Sequence, residues 1–139
     1  MMTNHWLVKQ EPTSYSFDTL EKDGTAVWDG VHNNLALKYI NSMKKGDQAF
    51  FYHSGAEKQI VGILEITSNS YPNPKEKDKR FVVVDVKHKN RLKRPVTLAE
   101  IKTEKKFKDW ELLRISRLSV MPVPKEIWDK ILEKSQQDS

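Results

Sequence analysis

The chain has 139 residues, a formal charge of +5 at pH 7 and no cysteine. This length predicts one domain, 1–139, that is large enough to bury one hydrophobic core. Because cysteine is absent, disulfide bonds, thiolate zinc sites and a cysteine nucleophile are excluded.

The first half of the chain alternates short apolar runs with residues that start or stop regular structure. Pro12 ends a first strand, and Ser16 is placed to cap a short helix. Asn33 or Asn34 is placed to cap a second helix. Gly62 leaves one strand position without a side chain, which predicts close approach of another group. The predicted elements are strands 5–9 and 25–28, helices 16–21 and 35–43, and a hairpin of strands 49–53 and 59–67.

The second half begins with a turn-rich loop at 71–74, followed by a strongly β-forming run. Val82, Val84 and Val86 alternate along this run and predict a strand over 80–89. Pro95 and Thr97 are typical of the start of a helix, which we expect over 98–102. A last strand at 118–123 and a terminal helix at 125–134 follow, and we expect the tail from 135 to be disordered. Residues 110–115 fit either a helix or a strand.

Five or six strands and four short helices alternate along this chain. The pattern favours an α+β fold, a small mixed β-barrel with flanking short helices, over a doubly wound sheet. The glycine-rich motif of dinucleotide-binding folds does not occur in the sequence.

The positive charge is concentrated between 75 and 94, where nine basic residues face three acidic ones. Such a one-sided distribution is typical of a surface that faces a polyanion. A solvated hairpin whose lysines protect a strand edge is an equally good interpretation. The candidate contacts to a nucleic-acid backbone are Lys75, Lys77, Lys79, Arg80, Lys87, Lys89, Arg91, Lys93 and Arg94.

Two stretches, 28–33 and 50–54, combine aromatic rings with hydrogen-bonding groups. Flat rings beside donors and acceptors suit a planar polar ligand such as a nucleobase. The alternatives are a core position for Trp28, a helix cap for Asn33 and an internally satisfied imidazole for His53. The candidate ligand-binding residues are Trp28, Gly30, Val31, His32, Asn33, Tyr52, His53 and Ser54.

Strand geometry limits which residues of the second stretch, 50–54, can line one pocket, and it argues against catalysis. Neighbouring strand residues point to opposite faces, so 50–54 cannot all serve one pocket, and we favour Tyr52, His53 and Ser54 at the strand end. For the same reason His53 and Ser54 do not form a nucleophile–base pair. The histidines lack the spacing of a metal site. We therefore expect a binding protein without cofactor or metal, not an enzyme.

Lys9, Arg117 and Ser119 lie beside apolar strands and are candidates to bind a phosphate or a base carbonyl. Surface lysine or arginine with a packed aliphatic stem, and an outward-facing serine, are the alternatives. The N-terminal residues do not read as a secretory signal, and the apolar runs are too short to span a bilayer. We expect a cytoplasmic monomer with no membrane association.

Six motifs, taken together and in order, resemble the EVE domain, a family of the PUA-like group that includes YTH and ASCH domains. The motifs are 6–12, 28–33, 45–47, 50–54, 62–65 and 117–123. The resemblance runs from residue 6 to about 131. It implies a PUA-like barrel with a nucleobase pocket.

EVE domains are regarded as readers of modified bases in DNA, and their YTH relatives read methylated adenine in RNA. The resemblance therefore implies a nucleic-acid partner, either DNA or RNA, that carries a modified base. At His32 the chain departs from the family pattern, which has an arginine there; imidazole is a cation only part of the time. Two other functions stay open: binding of a free nucleotide or small planar molecule, and a protein-interaction adaptor.

Overall fold

The structure, a computed structural model, describes residues 4–137. Seven strands, five α-helices and one 3₁₀ helix follow one another within this range. They are β1 (His5–Gln10), α1 (Phe17–Asp23), β2 (Thr25–Trp28), α2 (Asn34–Ser42), β3 (Gln48–His53), β4 (Gln59–Ile66), β5 (Tyr71–Pro72), β6 (Val82–Thr97), α3 (Leu98–Lys102), the 3₁₀ helix Lys105–Phe107, α4 (Glu111–Arg114), β7 (Val120–Pro122) and α5 (Lys125–Gln136).

The strands form one mixed sheet in the order β2–β6–β4–β3–β1–β7, and β5 pairs with the first residues of β6. β1 runs parallel to β3, whereas the remaining pairs are antiparallel. The sheet curls into a half-barrel with short helices around it. The predicted α+β class and small mixed barrel are therefore confirmed, with β2 and β7 as the two edges.

Local signals placed most of the elements correctly. The Ser16 side chain caps α1 by accepting from the backbone N–H of Thr19, and Thr97 forms a capping box with Glu100 at α3. Residues 111–114 of the undecided segment are helical. α5 extends to Gln136, beyond the predicted end at 134, whereas residues 138–139 of the predicted disordered tail lie outside the described residues.

β6 is the largest departure from the predicted elements, because it continues to Thr97 instead of ending at 89. Its register against β4 shifts twice, which lets a 16-residue strand bend around the half-barrel. A third irregularity lies between β3 and β4, where Phe51 pairs with Gly62 and Tyr52 pairs with Ile60. Val61 is thus an extra residue in β4.

The core lies on both faces of β3. On one face the Phe50 ring stacks on Trp128 of α5, with 3.9 Å between centroids. On the other face Phe51 meets Phe17 edge to face at 5.3 Å. The predicted close approach at Gly62 is confirmed, since a Cβ there would lie 2.2 Å from Cζ of Phe17. The approaching group is therefore a core side chain.

A buried carboxylate fastens the turn before β3 to β1. Asp47 is 4% exposed and accepts hydrogen bonds from the indole N–H of Trp6 at 2.9 Å and from two backbone N–H groups, those of Asn4 and Lys44. Three donors around one carboxylate satisfy a charge that is otherwise costly to bury.

Within residues 4–137, none of the helices has the length and apolar composition that a membrane-spanning segment needs.

Candidate binding cleft

A cleft of about 440 Å³ opens between the edge strand β2 and the segment that joins β1 to α1. Gln10 at the end of β1 and Ser14 and Tyr15 of the joining segment form one side of its lining. The other wall consists of Ala26, Val27, Trp28, Asp29 and Gly30. The first predicted stretch, 28–33, therefore does meet a cavity, through its first three residues.

Trp28 belongs mainly to the core. It is 4% exposed, and its ring meets Phe51 edge to face at 5.4 Å. With so little exposed surface, Trp28 contributes only a small area to the cleft. The next residues are more open: Asp29 and Gly30 are exposed, and Gly30 turns with a φ of +78° into empty space. The glycine is needed there because this φ strains other residues.

The cleft offers an apolar contact and several polar ones. Val27 is 48% exposed although its side chain is apolar, and Asp29 presents a carboxylate beside it. The hydroxyl of Tyr15 donates to Asp23 at 3.3 Å, and burial together with that carboxylate raises the pKa of Tyr15. Tyr15 is therefore neutral at physiological pH and forms a fixed rim.

The rest of the first stretch does not line this cleft. Asn33 caps α2, since its Oδ1 accepts from the backbone N–H of Ala36 at 3.0 Å. Val31 is half-buried against the core. His32 is exposed and lies against the loop at 73–81. The helix-cap alternative for Asn33 is thus the one that the structure supports.

His53 is a structural residue. It is 7% exposed, and its Nε2 accepts from the backbone N–H of Phe17, the first residue of α1, at 3.0 Å. Nδ1 therefore carries the proton and donates to Glu57 at 2.9 Å. Ser54 is half-buried, and its backbone N–H donates to the carbonyl of Gln10 at 3.0 Å. The imidazole holds the start of α1, and with it one wall of the cleft.

Tyr52 requires a correction. Phe51 and His53 lie on one face of β3, with 5.5 Å between their rings, so Tyr52 lies on the opposite face from Trp28. It is 3% exposed and does not line the cleft. A pocket with Trp28 and Tyr52 as its two walls is not what the structure contains.

Tyr52 instead belongs to a second cluster with Lys9. The ammonium of Lys9 lies 5.5 Å from the Tyr52 ring and donates to the carbonyl of Ser116 at 3.1 Å. Burial lowers the pKa of Lys9 and raises that of Tyr52. The backbone N–H of Lys9 donates to Ser119, while Arg117 is exposed in the same turn. The predicted site residues therefore divide between two places.

Much of the basic segment stabilises the fold. Arg91 pairs with Asp18 and Glu21 of α1. Arg94 makes two hydrogen bonds to Glu100, at 2.7 and 3.0 Å, and also donates to the last carbonyls of α5. Both arginines therefore stabilise the fold, and they do not protect a strand edge, since β6 lies between β2 and β4.

The remaining cations of the segment are divided between β6 and the loop at 73–81. The ammonium of Lys87 lies 4.0 Å from the carboxylate of Glu65, and Arg80 pairs with Asp78 at 2.9 Å. Lys93 also interacts with another group of the protein. The four other lysines are exposed and form no ion pair with any residue of 4–137. They are Lys75, Lys77, Lys79 and Lys89.

Sequence reasoning did not select Gln10, Ser14, Tyr15, Val27 or Asp29. Polar residues beside a turn carry no periodic signal, and Val27 reads as an ordinary strand residue. Across 4–137 no group of three histidine, aspartate or glutamate residues is arranged to hold a metal ion. The cleft offers hydrogen-bonding groups and an exposed apolar side chain, Val27, to a ligand.

Known proteins resemble this chain over almost its full length. Residues 4–134 match the EVE domain family. Thymocyte nuclear protein 1 of Mus musculus is 34% identical, across 94% of this chain and 73% of that protein. The structure of Rpa0253 from Rhodopseudomonas palustris has a TM-score of 0.91 and 42% identity, across 96% of this chain and 93% of that one.

A third relative carries a ligand. Human THYN1, in complex with DNA that contains 5-methylcytosine, has a TM-score of 0.90 and 29% identity, and the match covers 99% of this chain and 100% of that one. The motifs, the half-barrel and these matches agree. The chain belongs to the EVE domain family.

Proposed function

We propose that this protein is a nucleic-acid-binding module, not an enzyme, and that it receives one modified nucleobase in the cleft beside Trp28. The observation that carries the proposal is the complex of its relative, human THYN1, with DNA containing 5-methylcytosine. The cleft supports it, since it is lined by groups that suit a planar, polar ligand. A cytoplasmic monomer is part of the same proposal.

Cytosine chemistry matches two of the lining residues. The carboxylate of Asp29 is an acceptor for the exocyclic amino group of cytosine, a pairing found in base recognition. Val27, apolar and 48% exposed, provides a contact for a methyl group. The edge of Trp28 and the rim at Tyr15 enclose the base from the sides. Asp29 and Val27 thus have separate roles, one for the base and one for its modification.

The energetics favour an unpaired base. Extrusion from a duplex costs a few kcal/mol, whereas a good contact to a base edge, such as that proposed for Asp29, returns about 1–3 kcal/mol. A buried methyl group adds about 0.8 kcal/mol, which corresponds to roughly fourfold selectivity. Since these terms nearly cancel, phosphate contacts supply the remaining affinity, and single-stranded nucleic acid binds better than duplex.

The test is a fluorescence-anisotropy titration of short single-stranded DNA and RNA with one cytosine or one 5-methylcytosine. Asp29→Ala removes the acceptor, and we expect roughly 5- to 150-fold weaker binding to either oligonucleotide, as for loss of one base contact of about 1–3 kcal/mol. Asp109→Ala, which removes the same charge from an exposed site elsewhere, is the matched control. Equal affinity of the two variants contradicts the assignment of the cleft.

Val27→Ala tests the methyl contact separately. This exposed substitution should leave binding of unmodified cytosine unchanged and should remove most of the preference for 5-methylcytosine. A free nucleoside that binds as tightly as the oligonucleotide would point to a small-molecule-binding protein instead. Failure of every oligonucleotide to bind would refute the function as a whole.

A further inference from the structure

A second groove, of about 400 Å³, lies between α2 and the start of β6. Its charged lining is entirely basic and comes from Lys38, Lys79 and Arg80, while Asn34 and Asn41 add two amides. Among the described residues that line it, none is a carboxylate. Cations and amide donors around an open groove are the groups that bind phosphate oxygens.

The loop that supplies Lys79 and Arg80 is held in place at its base. Asn73 is 8% exposed, and its backbone N–H donates to the carbonyl of Phe81 at 2.8 Å, which closes the loop at 73–81. The side chain of Asn73 accepts from the backbone N–H of Lys75 at 3.0 Å. The lysines of the loop therefore project from a fixed backbone, and ordering them for a ligand costs less.

His32 joins this loop to the segment that lines the cleft. Its Nε2 lies 3.1 Å from Oε1 of Glu76, and its ring meets the Phe81 ring with 4.6 Å between centroids. Gly30 at the cleft and Asn34 at the groove are four residues apart. Such a segment spans at most about 14 Å, so the linings of cleft and groove approach each other within that distance.

We infer that the groove between α2 and the loop binds the phosphodiester groups that flank the base held in the cleft. The inference rests on the proposed function. It predicts that the bound strand runs from the cleft, across His32, to the groove. Consecutive phosphates rise about 3.4 Å per nucleotide in a helical strand and lie farther apart in an extended single strand, so the distance corresponds to roughly four nucleotides or fewer.

The two lysines supply the charge that acts on the phosphates. Arg80 is partly neutralised by Asp78, at 2.9 Å, whereas Lys38 and Lys79 form no ion pair with any residue of 4–137. Lys38 belongs to α2 and lies outside the basic segment of the sequence. The phosphate surface is thus the loop together with one face of α2, and the β6 arginines are excluded because they stabilise the fold.

The decisive variant is Lys38→Gln with Lys79→Gln, compared with Lys105→Gln with Lys108→Gln, which removes the same two charges from exposed sites. For single-stranded 5-methylcytosine DNA we expect roughly three- to thirtyfold weaker binding of the groove variant than of the control. The slope of log K against log salt should fall by about 0.7 for each phosphate that the variant no longer neutralises. Equal slopes and affinities of the two double variants overturn the inference.

Neutral methylphosphonate linkages next to the modified base test the location. They should weaken binding by the wild-type protein and by the control variant, but should have little further effect on the groove variant. Equal additional losses of affinity in all three proteins contradict the groove. If the groove variant behaves like its control while Asp29→Ala still weakens binding, the inference fails and the proposed function stands; if the wild type binds no oligonucleotide, both fail.

Discussion

The absence of a side chain at Gly62 lets the Phe17 ring of α1 pack against the sheet, and Gly62→Ala should therefore destabilise the protein. The added Cβ would lie 2.2 Å from Cζ of Phe17, with two further ring carbons at 2.5 and 2.6 Å. Carbon atoms at their optimal separation are about 3.5–4.0 Å apart, so the ring has to move by at least about 1 Å. Backbone strain adds nothing, since Gly62 does not have a positive φ.

The Phe17 ring has no free space to move into. It is fully buried, meets Phe51 at 5.3 Å and His88 at 5.1 Å, and lies under the Arg91 guanidinium at 5.1 Å. Overpacking of this kind costs about 1–3 kcal/mol. Because Phe17 begins α1, its displacement also moves the adjoining segment that lines the cleft, so Gly62→Ala should weaken ligand binding as well.

Urea unfolding of a double-mutant cycle measures the effect. Phe17→Leu removes the ring atoms that the new methyl would meet, and in that background Gly62→Ala should cost at least about 1 kcal/mol less. Gly46→Ala is the control, since a Cβ there meets nothing within 4 Å and its cost should be independent of residue 17. A Gly62→Ala protein as stable as wild type, or a cycle without coupling, refutes the reasoning.

Three further predictions concern buried or coupled ionisable groups. Asp47→Ala leaves the buried indole N–H of Trp6 without its acceptor, and the urea midpoint should report a loss of about 2–4 kcal/mol. The short hydrogen bond to Asp85 raises the pKa of Tyr71 to about 12. Absorbance titration should therefore show a tyrosine that ionises near pH 12, and Asp85→Asn should return it toward 10. The stabilisation from this hydrogen bond is complete below pH 10 and is lost as the pH rises to 12. Hydrogen bonds from Arg94 lower the pKa of Glu100 from 4.5 to about 2. The difference in unfolding free energy between wild type and Glu100→Gln should therefore be constant above pH 4.5 and shrink as the pH falls toward 2.

Local chemistry explains which elements the sequence predicts well. Ser16, Asn33 and Thr97 have side chains that compete for free backbone N–H groups, so each marks a helix start with no knowledge of the rest of the fold. The end of β6 is different. Residues 90–97 are mostly polar and alternate poorly, and they become a strand because they pair with β4, a contact that no local pattern reveals.

The candidate site was predicted only in part, for a related reason. Alternation along β3 correctly placed Phe51 and His53 on one face, but it did not say which face meets Trp28. That depends on how the sheet curls and on α1, whose first residue is bound by His53. Asp29 and Val27 enter the cleft only because the β1–α1 segment lies opposite them. Such contacts between distant segments are properties of the tertiary structure.

The departure from the family pattern at His32 lies where the two proposed surfaces meet. The Nε2 atom of His32 lies 3.1 Å from Oε1 of Glu76, so the imidazole contacts a carboxylate of the loop at 73–81. An arginine at this position would neutralise the carboxylate at every pH. The loop of this protein lacks that permanent charge, so the attraction of the groove for phosphate depends on Lys38 and Lys79, while the cleft depends on Asp29 and Val27.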